Sequence, residues 1–373
     1  MKDVMTFKSG VFHFSSTFDP AEINSLLVRA NVLNETVVDL PILPELSARL
    51  EPDIMYSSIS GTAMIEGNAI NGEDVRRIAL GEDLDRYTHK DKQEIRNLIA
   101  AYSWLANVGS AGVPFVLTES VIKEIHALVT RDIPHENNAP GMYRNVKVCV
   151  GDKAHGGVYT PPKILEDIKM LMGAFVDWIN SDEITSLDPY IRAALAHYYF
   201  CLIHPFGDGN GRTARLIEAV LLQSSNIKYV PKELSNYYYR NVDKYYISFS
   251  KSIQQKNNVT PFVTFVMNGV VESLMSIKES IVYFIRRFSL RDYYSFELKN
   301  KNITKRQHDL LLLLMENPMC FSLNDLYEKR PFLILYGKAS TQTGRRDIKN
   351  LLSKNLLQIE KDGRYSLNFK AIG

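Results

Sequence analysis

Two apolar runs with helical spacing, Ile191 to Ile203 and Leu216 to Leu222, flank the twelve residues His204-Pro205-Phe206-Gly207-Asp208-Gly209-Asn210-Gly211-Arg212-Thr213-Ala214-Arg215. The segment between the runs reads as a short loop joining two helices. It holds an imidazole (His204), a carboxylate (Asp208), three small or polar residues with open backbone amides (Gly209, Asn210, Gly211) and two guanidinium groups at i and i+3 (Arg212, Arg215). Gly-Asn-Gly just ahead of a helix lets N–H groups converge without a Cβ in the way, and the helix N-terminus adds positive partial charge, so an anion fits there. Arg212 and Arg215 stand about one turn apart and can grip phosphate oxygens bidentately. Asp208 is a candidate Mg²⁺ ligand, because that ion takes one or two carboxylates together with substrate phosphates. His204 is a candidate general base, since imidazole titrates near the operating pH. Such a set points to nucleotidyl or phosphoryl transfer. It is not a Walker A loop, as no GxxxxGK[ST] occurs in the chain. His197 and His204, without a third nearby ligand, match no usual zinc spacing.

HPFGDGNGRTAR resembles the signature of the Fic (Fido) family, HPFx(D/E)GNGRxxR, and departs from it at no position. The resemblance implies a mainly α fold, a Fic-type helical core with a β-hairpin flap, and an adenylyltransferase that moves AMP from Mg-ATP to a Ser, Thr or Tyr hydroxyl of a target protein. It implies that His204 deprotonates that hydroxyl and Asp208 binds Mg²⁺. Gly209, Asn210 and Gly211 would hold the inner phosphates, Arg212 and Arg215 the outer ones, and Phe206 would anchor the loop in the core.

The segment Ser57 to Asn68 has helical apolar spacing that stops at Gly67-Asn68. Glu66 beside that stop is slightly unfavourable for the helix dipole and therefore calls for a partner elsewhere. Thr62-x-x-x-Glu66-Gly67 resembles the family's inhibitory motif (S/T)xxxE(G/N). It implies that Glu66 salt-bridges Arg215 and blocks the γ-phosphate seat, with Thr62 the other fixed residue of the inhibitory motif, so the protein restrains itself. A nucleotide-sensing, DNA-binding regulator with vestigial catalysis and an enzyme that removes AMP, with Glu66 positioning a water, are the alternatives. Intact His204 and Asp208 weigh against the regulator.

The rest of the chain reads as scaffold around this loop. Asp19-Pro20 suits a helix start after an extended N-terminal arm. Amphipathic helices follow over Gly72 to Val108, Thr118 to Val129 and Glu166 to Ile179. Between the last two, residues 146–160 alternate β-branched positions around Gly- and Asp-rich turns, a β-hairpin in a helical chain. In the resembled family this is the flap that docks the target main chain, and edge-strand addition gives it a physical reason. His155 reads as a turn residue. An aromatic stripe such as Leu234 to Tyr246 is usually core; it also resembles the family segment near the adenine, which implies that Tyr237, Tyr245 or Tyr246 lines the base pocket. A helix from Thr260 to Phe288 completes the core.

After an expected linker at Arg291 to Thr304, helical runs and a hairpin turning at Asp362-Gly363 resemble a small α+β winged helix. Ser340 to Ser353 would be its recognition helix, with Arg345, Arg346 and Lys349 permitting DNA contact. Such modules also serve as dimer or target contacts, and the charge of the segment permits DNA without requiring it. Net charge is +2 overall, yet residues 301–373 hold thirteen Lys and Arg against seven Asp and Glu. The expected domains are therefore 1–110, an N-terminal region with the inhibitory helix, 111–290, the catalytic core, and 304–373. Three scattered cysteines form no disulfide framework or metal motif, and no run of about eighteen apolar residues occurs. A cytoplasmic protein without a membrane span is expected, with a homo-oligomer open.

Overall fold

The structure, a computed structural model, describes residues 2–42, 44–108, 115–134, 139–255 and 258–372, with the backbone alone for 45–50. The chain divides into two compact units, Met1–Lys278 and Glu279–Gly373.

The first unit begins with a hairpin, β1 (Lys2–Met5) and β2 (Val11–Phe14), where the sequence suggested only an extended arm. Two features close it. Gly10 takes φ +79 at the turn, and the buried Asp167 carboxylate accepts the Phe7 N–H at 2.7 Å and the Ser9 hydroxyl at 2.6 Å. Phe14 then seats its ring among Phe175, Trp178 and Tyr199. Helix α1 (Pro20–Asp39) starts at Asp19, whose side chain caps the Ala21 N–H. Helices α2 (Pro44–Ile65), α3 (Gly72–Ala79), α4 (His89–Asn107) and α5 (Glu119–Thr130) follow, α4 opening on a Thr88/Asp91 capping box.

The flap hairpin comes next, β3 (Val150–Asp152) paired antiparallel with β4 (Gly157–Tyr159). Its ladder is shorter than the 146–160 expected, and Val146 to Cys149 lie outside it. Then come α6 (Leu165–Ile179), the short α7 (Asp182–Thr185), α8 (Pro189–Ile203), α9 (Asn210–Ser224), α10 (Val230–Arg240) and α11 (Val242–Gln254). Helix α8 is apolar on every side and almost wholly buried, packed on α9 and α6. Helix α2 lies along α10, and Gly61 lets it come so close that a Cβ there would sit 2.7 Å from the Asn236 side chain.

One hydrophobic core runs from Phe14 to Leu274 and includes Ile59, Leu98, Ile125, Phe200 and Ile217. The expected boundary at 110/111 lies outside the described residues, and the helices on either side of it share this core. Helix α12 (Thr260–Lys299) contains the division between the two units. The helix takes in the expected linker as far as Lys299, because Leu290 and Tyr294, one turn apart, are buried in the core of the second unit. By length and composition it is the one helix among the described residues apolar enough to cross a membrane, and 67% of its apolar window is buried within the protein.

The second unit adds α13 (Lys305–Glu316), the short α14 (Asp325–Glu328) and α15 (Leu333–Tyr336), α16 (Thr341–Ser353) and a hairpin, β5 (Leu357–Ile359) with β6 (Tyr365–Leu367). Phe321 pairs with Tyr365 in an antiparallel bridge at the hairpin's edge. Ser340 caps α16 and leaves Arg345, Arg346 and Lys349 on its exposed face.

Candidate active site

Helix α8 ends at His204, whose backbone is left-handed at φ 49° and ψ 59°. For a non-glycine residue this costs on the order of 1–2 kcal/mol. The turn redirects the chain so that Phe206, fully buried, stacks on His126 with ring centroids 3.6 Å apart. Asn210 fastens the loop from within, accepting the Phe206 N–H at 3.0 Å and donating to the Phe206 carbonyl at 2.8 Å. Gly209, at φ 73°, precedes α9, and a Cβ there would strike the Thr130 methyl at 2.5 Å. His126 secures the loop from outside: its Nδ1 accepts the Gly141 N–H at 2.9 Å, so the proton is on Nε2, which donates to the Asp208 carbonyl at 2.9 Å.

A cavity of about 440 Å³ opens above this loop. His204, Gly211 and Arg215 form one side, the flap residues Cys149 to Asp152, His155 and Tyr159 another, and Tyr245, Tyr246 and Phe249 of α11 a third. Burial first, then the nearby Arg144 cation, pushes the His204 imidazole down to about 4, against the Cys201 carbonyl and the Glu66 and Asp208 carboxylates. At neutral pH the ring is therefore an uncharged base. Its Nδ1 is buried, and the residue lines the cavity.

Glu66, one residue past α2, projects into the same cavity. Its Oε1 accepts from Arg215 Nη2 at 2.6 Å, and a Cβ on Gly211 would lie only 2.5 Å from that oxygen. The carboxylate thus occupies the N-terminal end of α9, the natural seat of an anion. Thr62 completes the clamp, its hydroxyl accepting from Arg215 Nε at 2.6 Å and its carbonyl from Nη2 at 3.2 Å. Burial is the largest single influence on Arg215 and opposes its charge, but Glu66 together with Tyr245 and Tyr246 more than offsets it, and the pKa lies above the ordinary arginine value.

Residues 116–222 match the sequence model of the Fic/DOC family. The chain carries a Fic/DOC domain. Among similar proteins, a protein adenylyltransferase Fic from Drosophila willistoni is 35% identical over 159 residues, 42% of this chain and 29% of its own length. One from Drosophila mojavensis is 30% identical over 235 residues, 61% of this chain and 42% of its own. The chain thus spans less than half the length of these relatives. Among solved structures, a Fic family protein from Desulfovibrio desulfuricans G20 superposes with a TM-score of 0.59 at 20% identity, covering 95% of this chain and 98% of its own. Residues 134–508 of Fic-1 from C. elegans give 0.57 at 23% identity, over 69% and 72%. These likenesses establish a shared, mainly helical fold.

His204, Gly211 and Arg215 of the Fic/DOC domain meet Glu66 and Tyr245, which lie outside it in sequence, at the cavity, and Thr62 lies behind Arg215. Other expected ligands do not line it. Arg212 is turned away and buried between Glu94 and Asp208, the latter at 3.1 Å. Asn210 and Gly209 serve the loop's own geometry. Tyr237 packs on Phe265, with ring centroids 5.2 Å apart, and against Gly269, because α10 presents it to α12 and not to the cavity. His155 lies in the turn of the flap, as the sequence suggests, and it also bridges Asp152 of the flap and Asp243, with Nε2 at 3.2 Å from the latter, and lines the cavity. His197 engages Glu218 at 3.1 Å and the Tyr245 hydroxyl at 2.8 Å, fixing Tyr245 from below.

Sequence reasoning passed over Glu94 and His126, which sit in helices that look like plain scaffold. Burial raises the Glu94 pKa, while Arg212 and Asn68 oppose the rise. The Asn68 amide donates to Glu94 Oε2 at 2.8 Å and to the Asp91 carbonyl at 3.1 Å, tethering the segment after Glu66 to α4.

Proposed function

We propose that the chain transfers AMP from Mg-ATP to a Ser, Thr or Tyr hydroxyl of a protein, and that Glu66 restrains it. The observation that carries this reading is the Glu66 carboxylate lying over Gly211 and paired to Arg215, beside a neutral His204 in one cavity. The target oxygen attacks the α-phosphorus, its proton passes to the His204 imidazole, and the bond to pyrophosphate breaks. Converging N–H groups at the start of α9 and the Arg215 guanidinium match the phosphate charge. Tyr245, Tyr246 and Phe249 give the base an aromatic wall.

Asp208 fits Mg²⁺ in one respect: its side chain is partly exposed on the loop that ends at the anion seat. Among the described residues no cluster of three ligating side chains exists, so the protein would supply a single carboxylate and the triphosphate the rest. Such an ion would neutralise charge on the phosphates. For the target, each flap strand has one edge outside the two-stranded ladder, which suits addition of an extended segment.

The deciding experiment compares wild type with Glu66→Gly, using Mg²⁺ and ATP labelled at the α-phosphate, on the protein itself and on cell lysate. Incorporation is expected to rise at least tenfold in Glu66→Gly and to vanish when His204→Ala is added. Equal incorporation by wild type and Glu66→Gly would remove the restraint from the reading. Loss of AMP release from a modified protein in Glu66→Gly would favour removal of AMP instead.

A further inference from the structure

The strained backbone of His204 requires something to hold it, and Arg144 meets that need in an unusual way. Its side chain is 4% exposed and pairs with no carboxylate among the described residues. Instead the guanidinium donates to three backbone carbonyls: His204 at 2.7 Å from Nε, Val146 at 2.6 Å from Nη1 and Pro162 at 2.7 Å from Nη2. Its own N–H donates to the Pro205 carbonyl at 2.9 Å. Val146 precedes β3 and Pro162 follows β4, so these two acceptors are the two feet of the flap.

One planar fork therefore joins both ends of the flap to the residue that turns the catalytic loop. Burying a cation among neutral carbonyls is a poor way to stabilise a fold, because nothing repays its lost hydration fully. A rigid guanidinium has one advantage over any other side chain here, namely several donors at fixed mutual angles. We infer that Arg144 is a positioning residue for transfer: it locks His204 in its left-handed turn and sets the flap, with whatever chain is docked on it, in register with the base. This inference rests on the reading of His204 as the base and of the flap as the docking edge.

The test uses the full chain carrying Glu66→Gly, with Arg144→Met and Arg144→Lys compared for kcat, for the KM of ATP, for thermal melting and for hydrogen exchange of amides 150–159. Arg144→Met is expected to lower kcat by about 10²-fold while KM for ATP stays within about threefold, the split expected when positioning and not binding is lost. Flap amides should exchange faster, with the remaining helices unchanged. Arg144→Lys keeps the charge but only a point donor, and is expected to recover less than a tenth of the lost rate. Should Arg144→Met fail to fold, Arg144→Lys decides alone: full kcat with unchanged flap exchange overturns the inference. A fall in kcat and a rise in KM together with general loss of protection would also overturn it, by making Arg144 merely structural. His204→Ala is run in parallel. If it retains transfer, the base reading itself has failed; if it is inactive while Arg144→Met is fully active, only the role of Arg144 has.

Discussion

At the scale of single residues the site depends on keeping one imidazole neutral and one guanidinium charged inside the same small volume. His204→Ala is expected to reduce transfer by about 10²–10⁴ and to leave nucleotide affinity within a few fold, because it removes a proton acceptor and no phosphate contact. Calorimetric titration with ATP beside a rate measurement checks both halves. The pH dependence has a definite sign. Burial and Arg144 lower the pKa of His204 to about 4, so the base form persists as pH falls through the ordinary imidazole range. In the Glu66→Gly variant the acid limb of kcat/KM should thus lie below about pH 5, with a plateau from pH 6 to 8. A limb centred near pH 6.5 would show that the base titrates like an exposed histidine.

At the scale of elements, the signature loop was legible because its chemistry is packed into twelve contiguous residues. Glu66 was legible through the resemblance of Thr62-x-x-x-Glu66-Gly67 to the family's inhibitory motif, whereas the helix stop alone fits a solvated carboxylate as well. Glu94, His126 and Arg144 were not, since each meets the loop across 60 or more residues of intervening chain and sits in a segment whose local pattern is ordinary. The resemblance did not separate Tyr237 from its neighbours, because adjacent tyrosines on one helix look equivalent until packing sends Tyr237 to α12 and Tyr238 toward Glu218. The N-terminal hairpin escaped notice because its closing partner, Asp167, lies 160 residues from Phe7. The contact of α2 with α10 gives a test of the restraint that leaves Glu66 itself intact. Gly61→Ala would put a methyl against Asn236 and push α2 outward, costing roughly 1–3 kcal/mol of stability. AMP incorporation should rise above wild type but stay below Glu66→Gly, while the melting temperature drops by a few degrees. Unaltered incorporation with the same loss of stability would mean that α2 does not set the position of Glu66.

At the scale of the whole chain, two separate cores imply two cooperative units. Residues 279–373 expressed alone are expected to give helical circular dichroism and a single sigmoidal melt, and a gradual, featureless transition would contradict this. Within that unit the exposed face of α16 carries Arg345, Arg346 and Lys349, and no ion pair is assigned to them among the described residues. A unit of this charge is proposed to be a winged helix that holds duplex DNA. Retention should weaken steeply as salt rises, and the slope should shrink by about one for each of the three cations removed. Absence of retention at low salt would assign the face to a protein partner.

Glu66 stands just beyond the last turn of α2, with Gly67 after it at φ +90°, and helix ends open far more readily than helix bodies. The resting protein on this reading is never silent. It leaks, at a rate proportional to the fraction of molecules whose α2 end is lifted at a given instant. A change of about 1.4 kcal/mol in that local opening multiplies the leak roughly tenfold, in either direction. The tether from Asn68 to α4 then acts as a set-screw. Substitutions there would reset the quiescent output of the molecule without altering any atom that meets the nucleotide.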